Sequence, residues 1–155
     1  MARTVKAIET RYKGYRFRSR LEARWAIAFD AMGLAWDYEP ECYDTVSDGW
    51  YTPDFFVRTP SDSYPDGGYW VEVKGVRPTA EQYRKLLSVT RHTGHNGAFL
   101  YGCLNNPRYM GCCSGELTPD SMDFSAVFAA PFHTIEPDIV DRAITRARAF
   151  RFDRR

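Results

Sequence analysis

This 155-residue chain has no apolar stretch of the roughly 20 residues that a bilayer-spanning helix needs. We therefore expect that the protein does not cross a membrane. Its start, MARTVKAIETRYKGYR, lacks the apolar core of a secretion signal. The sequence also lacks internal repeats and low-complexity segments. Cysteine is scarce, with Cys42, Cys103, Cys112 and Cys113. Because there is no export signal, we expect these thiols to be reduced and the protein to be cytoplasmic.

What the chain does contain is the composition of an ordinary globular protein, with 44% hydrophobic and 26% charged residues. Aromatic residues make up 15% of it, which argues against extended disorder because such side chains supply large buried areas. A chain of this length suffices for one hydrophobic core. We therefore predict a single domain over residues 1–155.

The net charge of +1 conceals an uneven distribution of charged residues along the chain. Residues 1–24 contain eight basic and two acidic side chains, residues 30–72 contain ten acidic and one basic, and residues 138–155 contain six arginines and three aspartates. Basic ends around an acidic middle would suit a protein that holds a polyanion beside a cation-binding cluster of carboxylates. The alternative is that these runs form solvated faces.

Two segments, residues 19–32 and 79–91, are predicted helices. The first begins at Ser19, with Glu22 in the capping-box position, and its apolar residues keep the i, i+4, i+7 spacing of one buried face. The second begins at Thr79, with Gln82 in the capping-box position. A glycine follows each segment and favours the end of the helix there.

Aromatic and β-branched runs predict four strands, namely LAWDYEPECYD (34–44), WYTPDFFV (50–57), YWVEVKG (69–75) and AFLYGCL (98–104). Asp48-Gly49 predicts a hairpin turn between the first two, and Pro53 indicates a bulge or an edge position. Residues 59–68 and 105–120 are expected to be loops, followed by a fifth strand over residues 125–129 and a last helix from about Glu136. This element order predicts an α/β domain with a mixed sheet flanked by helices.

Two short motifs bear the chemistry: Pro53-Asp54 and, eighteen residues after Asp54, Glu72-Val73-Lys74. Side chains alternate along a strand, so Glu72 and Lys74 point to the same side, and a hairpin would set Asp54 beside them. Two carboxylates at one site repel each other, and a hard cation such as Mg²⁺ relieves that repulsion through oxygen ligands. Such an ion polarises a phosphoryl oxygen and lowers the pKa of a bound water, which Lys74 would orient.

This arrangement resembles the PD-(D/E)XK nuclease superfamily, whose members share a restriction-endonuclease-like αβββαβ core. The segments FRSRLEARWA, YEPE, YTPDF and WVEVKG are similar to those of small nuclease-like proteins of phages and bacteria. The resemblance covers a core of about residues 15–104 and leaves residues 105–155 as a C-terminal extension. Its specificity comes from context, because a helix with a glutamate precedes the motif, a hairpin carries it and a helix follows it.

The resemblance implies that Asp54 and Glu72 bind Mg²⁺ or Mn²⁺, helped by the backbone carbonyl of Val73. It also implies a third carboxylate ligand from the first helix, Glu22, and places Lys74 beside the attacking water. Products with 5′-phosphate and 3′-hydroxyl ends follow from the same resemblance. Helix capping is the alternative role for Glu22, and ordinary turn or strand positions are the alternatives for the other side chains.

Several cations near the two helices are candidates for contacts to DNA phosphates, with solvated surface as the alternative: Arg18, Arg20, Arg24 and Lys85. Gln82 could also lie near the site, although its capping position is a sufficient explanation. A separate group of ligand types raises a structural zinc site: His92, His95, Cys103, Cys112 and Cys113. Its spacing matches no standard zinc finger, which favours surface histidines and loop or buried cysteines.

We therefore predict a Mg²⁺- or Mn²⁺-dependent deoxyribonuclease, and an endonuclease rather than an exonuclease. The short chain leaves little room for a sequence-recognition domain. This favours recognition of branched, single-stranded or junction DNA, or recruitment by a recombination or repair partner. A homodimer would let two sites cut two strands. The alternatives are a non-catalytic module on a nuclease fold that binds nucleic acid or protein, and a structural phage or accessory protein.

Overall fold

The computed structural model describes residues 6–59, 65–113, 116–117 and 135–153. The helices in these ranges are α1 (Arg20–Ala31), α2 (Ala80–Thr93) and α3 (Pro137–Ala149). The strands are β1 (Thr10–Tyr12), β2 (Tyr15–Phe17), β3 (Trp36–Tyr38), β4 (Tyr43–Asp44), β5 (Trp50–Tyr51), β6 (Phe55–Arg58), β7 (Gly68–Lys74), β8 (Asn96–Tyr101), β9 (Arg108–Cys113) and β10 (Glu116–Leu117). None of the described helices combines the length and the apolar character that crossing a membrane requires.

Six strands form the central sheet in the order β10-β9-β8-β7-β6-β3. Strands β7 and β8 are parallel, whereas the other neighbours are antiparallel. A parallel pair needs a crossover connection, and α2 supplies it between these two strands. The predicted α/β domain with a mixed sheet is therefore confirmed.

Side-chain alternation along β7 divides the core into two layers. Tyr69, Val71 and Val73 pack in a cluster with the buried residues of α1 and α3. Trp70 packs in a second cluster that includes Leu86 of α2. The central strands are thus covered on both faces, and they give the polar residues at the end of β7 a rigid support.

The caps place both predicted helices where the sequence analysis expected them. The Ser19 hydroxyl accepts the Glu22 N–H at 3.1 Å at the start of α1. Thr79 and Gln82 form a reciprocal capping box at the start of α2, as predicted. The left-handed Gly94, with φ of 75°, ends that helix. The last helix follows Glu136, also as predicted.

The predicted loop over residues 105–120 is wrong, because β9 and β10 lie within it. Tyr109 and Cys112 of β9 are buried, and the strand pairs antiparallel with β8. Gly111 interrupts the apolar pattern of this segment, yet it pairs with Ala98 within the sheet. The strand predicted over residues 125–129 lies outside the described residues, as does His133.

Two predicted strands are each divided in two. Residues 34–44 contain β3 and β4, and residues 50–57 contain β5 and β6. Strands β4 and β5 form a separate two-stranded sheet, a hairpin whose turn includes the left-handed Gly49. Pro53 separates β5 from β6, in keeping with its inability to donate to a strand ladder. The β1–β2 hairpin was not predicted, and its turn places both Lys13 and Gly14 at positive φ.

Candidate active site

A cleft of about 450 Å³ opens where the end of β7 meets the first turns of α1 and α2 and the β4–β5 hairpin. Most of the residues singled out from the sequence line this cleft. They are Arg18, Glu22, Asp54, Glu72, Lys74, Gln82 and Lys85. Residues separated by up to 67 positions in sequence (85 minus 18) are thus brought to one surface by the fold.

The β6–β7 register holds the two motif carboxylates side by side. Phe55 pairs with Val71, so the next position outward sets Asp54 beside Glu72. The Asp54 N–H donates to Glu72 Oε2 at 3.2 Å, and the Val73 N–H donates to Asp54 Oδ2 at 2.8 Å. Only 1% of Asp54 and 3% of Glu72 are exposed. The backbone therefore fixes both carboxylates in a nearly dry environment.

Glu22 reaches the same cleft from the first turn of α1 and is buried. Its carboxylate accepts from the Tyr38 hydroxyl at 2.6 Å, from the Ser19 hydroxyl at 2.8 Å and from the Arg18 N–H at 3.2 Å. Ser19 caps the helix, as predicted, but the reciprocal capping box predicted with Glu22 does not form, because the Glu22 carboxylate accepts from the Ser19 hydroxyl and the Arg18 N–H instead of the Ser19 N–H. Its contact with Tyr38 of β3 ties α1 to the central sheet beside the motif carboxylates.

Two cations neutralise part of this acidic cluster. The Lys74 ammonium forms an ion pair with Glu72 Oε1. The Arg18 guanidinium contacts Asp54 Oδ1 at 2.8 Å and Glu39 Oε1 at 2.7 Å. Burial works against the Arg18 charge, but the nearby carboxylates outweigh burial and hold the pKa of Arg18 above its ordinary value.

The charge of Asp54 is nevertheless not fully compensated. Burial, followed by the charges of Glu72 and Glu22, raises the pKa of Asp54 well above its ordinary value of 3.8. The Lys74 ammonium and the Val73 N–H act in the opposite direction and are outweighed. A further positive charge among these carboxylates would lower that pKa and stabilise the ionised cluster.

Tyr51 belongs to this site but was not recognised from the sequence. Its hydroxyl donates to Glu72 Oε2 at 2.8 Å. Burial and the Glu72 charge raise the pKa of Tyr51 well above its ordinary value, so the phenol stays protonated and acts as a donor. An aromatic residue in the sequence WYTPDF reads simply as a strand residue, and nothing local to it indicates a carboxylate partner.

The donor set fits a hard divalent cation in its chemistry. Asp54, Glu72 and Glu22 offer carboxylate oxygens, which are the ligands that Mg²⁺ prefers. Within the described ranges, no three His, Cys, Asp or Glu side chains already form a group that could hold a metal ion. The Arg18 and Lys74 contacts account for two of the carboxylate oxygens in the cluster. Cation binding would accordingly exchange at least one of these ion pairs for a metal contact.

Arg20 and Arg24, predicted to contact phosphates, do not line this cleft. They line a separate groove between α1 and α3. The Arg24 guanidinium donates to the carbonyls of Ala147 and Arg148 at the end of α3, the latter at 2.9 Å. Arginine at a helix C-terminus interacts favourably with the free carbonyls there, so Arg24 has a structural role that the sequence analysis missed.

Lys85 and Gln82 face the cleft from α2, each with a partner on its own helix. The Lys85 ammonium lies 2.9 Å from Glu81, and Gln82 Oε1 accepts the Thr79 N–H at 2.9 Å. The capping role of Gln82 is thus confirmed.

Among the described side chains, no cysteine or histidine lines this cleft. Cys42 and Cys103 are exposed free thiols, and Cys112 is buried. His92 packs beside Tyr43, with 5.8 Å between the ring centroids. In the part of the chain that the structure describes, these side chains form no group of metal ligands.

Fold and site together define a mixed α/β domain with a carboxylate and lysine cleft at the end of its central parallel strand pair. Comparison of the chain with protein-family models, with curated proteins and with solved structures found no match.

Proposed function

We propose that this chain is a Mg²⁺- or Mn²⁺-dependent deoxyribonuclease with a restriction-endonuclease-like core. Apart from the β4–β5 hairpin inserted after β3, the order α1, β3, β6, β7, α2, β8 is that of the αβββαβ core that the resemblance implies, which supports the proposal. The observation that carries the proposal is the convergence of Glu22, Asp54, Glu72 and Lys74 in one cleft. Burying three carboxylates close together lowers the stability of a fold. Clusters of this kind are therefore typical of binding or catalytic sites.

In the proposed site, the carboxylates of Asp54, Glu72 and Glu22 would hold the cation, together with the Val73 carbonyl. A bound cation would polarise a phosphoryl oxygen and lower the pKa of an attacking water. The Val73 N–H and the Tyr51 hydroxyl keep Asp54 and Glu72 from rotating, which preorganises the ligands. The hydrolysis forms a bond between the water oxygen and phosphorus and breaks the bond between phosphorus and the 3′-oxygen. The leaving oxygen takes up a proton, so the products carry a 5′-phosphate and a 3′-hydroxyl.

Lys74 is the residue proposed to act on the reacting atoms. Its ammonium is held against Glu72 and is partly accessible from the cleft. From there it can donate to the attacking water or to the phosphoryl oxygen that gains negative charge. The Lys74 side chain thereby adds to the charge stabilisation of the transition state.

The test is incubation of the purified protein with linear duplex, single-stranded, nicked and four-way-junction DNA in EDTA, Mg²⁺ or Mn²⁺. We expect cleavage with the metals and none in EDTA. Lys74→Ala should lower the rate at saturating DNA by about 10²–10³-fold and leave DNA binding largely intact. Lys13→Ala is the matched control, because Lys13 is ion-paired with Asp30 outside the cleft. Equal rates for the two variants would remove Lys74 from the chemistry.

The second candidate is a nuclease fold that binds nucleic acid or protein without cutting it. The Arg18–Asp54 and Lys74–Glu72 ion pairs favour it, because they show that the cluster can be partly neutralised by the chain itself. DNA binding without cleavage in any metal would support this candidate. Recognition of branched DNA, dimerisation and a recombination or repair partner remain predictions from the sequence.

A further inference from the structure

The β4–β5 hairpin carries an exposed tryptophan into the cleft. Trp50 is 73% exposed, and it lines the cleft together with Glu72 and Lys74. The other tryptophans, Trp25, Trp36 and Trp70, are buried or half-buried. The exposed indole lies beside a cleft lined by acidic and basic side chains. A ligand that covers the indole would gain binding free energy, because apolar surface would be removed from water.

The hairpin that presents Trp50 is held firmly at several points. Asp48, in its turn, accepts from Arg84 of α2 through both carboxylate oxygens, at 2.9 and 3.1 Å. Tyr43 packs edge-on against Trp70, with 5.4 Å between the ring centroids. Tyr51, next to Trp50, is bound to Glu72. The backbone that carries Trp50 is therefore preorganised, and binding a ligand would order little additional chain.

The charges around Trp50 decide which ligand suits it. Three cations line the same cleft, each ion-paired with a carboxylate: Arg18 in the turn before α1, Lys74 on β7 and Lys85 on α2. An aromatic face beside cations is the arrangement that binds single-stranded nucleic acid, because bases stack on the ring while phosphates lie near the positive charges. Within a duplex the bases already stack on one another, so an indole can reach a base only where it is unpaired.

We propose that Trp50 stacks on an unpaired nucleobase next to the phosphate in the cleft, and thereby selects single-stranded or branched DNA over intact duplex. This inference rests on the proposed function for the identity of the polymer.

The test uses binding in EDTA, so that it does not depend on cutting. A thymidine oligonucleotide of about twelve nucleotides is titrated into the full chain, and tryptophan fluorescence and fluorescence anisotropy are recorded. We expect quenching of the tryptophan signal on binding, and loss of most of that quenching in Trp50→Phe. Trp50→Ala should raise the Kd about five- to hundredfold, whereas Trp50→Phe, which keeps an aromatic face, should remain closer to wild type.

Two controls separate stacking from damage to the fold. Val76→Ala removes an exposed apolar side chain that does not line the cleft, and it should leave the Kd unchanged. Oligonucleotides with one abasic position, placed along the strand in turn, should bind more weakly to wild type at one position. That penalty should vanish in Trp50→Ala, because the base and the indole are partners in one contact.

The outcomes also distinguish this inference from the proposed function. Metal-dependent cleavage with an unchanged Kd and unchanged strand preference in Trp50→Ala would overturn the inference and leave the nuclease in place. Base-dependent binding through Trp50 without any cleavage would support the inference and remove the nuclease. Absence of oligonucleotide binding in wild type would overturn the role of Trp50 in nucleic-acid recognition.

Discussion

At the scale of single residues, Asp54 is held in a position that costs stability. Its side chain is buried beside Glu72 and Glu22. Burial is the largest cause of its raised pKa, and the charges of the two glutamates add to it. Unfavourable electrostatics of this kind is typical of sites arranged for binding or catalysis. The carboxylate is nonetheless well oriented, through the Val73 N–H and the Arg18 guanidinium.

Asp54→Asn should therefore stabilise the metal-free protein while it abolishes cleavage. Because the folded-state pKa of Asp54 lies above the unfolded value near 3.8, the folded state binds more protons between these values. The contribution of Asp54 to the stability of the folded protein therefore falls as the pH rises from about 4 through the raised folded-state pKa. The difference in melting temperature between Asp54→Asn and wild type should grow over this pH window. Each kcal/mol of difference in the free energy of unfolding corresponds to about 2–4 °C.

The difference between the two proteins isolates Asp54 from other groups that titrate in the same range. Added Mn²⁺ should reverse the order, because only wild type would gain from binding. A melting temperature of Asp54→Asn that stays below wild type at every pH without metal would contradict this account and indicate that the Arg18 ion pair dominates.

How far the sequence predicts the site depends on the distance between partners. Glu72 and Lys74 follow from alternation in one strand, and the hairpin adds Asp54. The Tyr51 hydroxyl reaches Glu72 across 21 positions, and no local spacing indicates that contact. The exposure of Trp50 likewise depends on the separate β4–β5 sheet, which the sequence analysis merged with the central strands.

At the scale of elements, helix boundaries were predictable because caps are local. The Thr79 and Gln82 capping box forms within four consecutive residues, and Gly94 ends the same helix. Strand β9 was missed because the burial of Tyr109, which packs edge-on against Trp25 of α1, is set by a distant part of the chain. The Asn and Pro residues that precede it form only the turn before the strand.

Gly68 is required by the close packing at the start of β7. A Cβ atom on Gly68 would lie 2.8 Å from the Val57 carbonyl oxygen and 2.5 Å from the Phe56 ring. Gly68→Ala should therefore lower the free energy of unfolding by about 1–3 kcal/mol, measured by urea denaturation. Gly75→Ala is the matched control, since nothing lies within 4 Å of its added Cβ. Equal stability of the two variants would show that β6 and β7 adapt to the extra carbon.

At the scale of the whole molecule, part of the C-terminal extension packs onto the core. Helix α3 lies against α1, and Val140, Ala143 and Ala147 are buried in the larger cluster. The Arg24 guanidinium joins the two helices by binding carbonyls at the end of α3. The first helix therefore connects the candidate site, through Glu22, with the end of α3, through Arg24.

Arg24→Gln tests this structural role against the phosphate contact that the sequence analysis predicted. Loss of the charged hydrogen bonds should lower the free energy of unfolding by about 1–3 kcal/mol. The Kd for DNA should not change, because Arg24 lies outside the cleft. Arg20→Gln removes the neighbouring charge without those bonds and serves as the control. A weaker DNA affinity with unchanged stability would restore the phosphate-binding role of Arg24.

The proposed function requires that Asp54 and Glu72 hold a divalent cation. Calorimetric titration of Mn²⁺ into the EDTA-stripped protein measures this directly, with Asp138→Asn, an exposed carboxylate on α3, as the control. We expect one site in wild type and in the control, and an affinity lower by about a hundredfold or more in Asp54→Asn and Glu72→Gln. Unchanged Mn²⁺ affinity in both cleft variants would contradict the account.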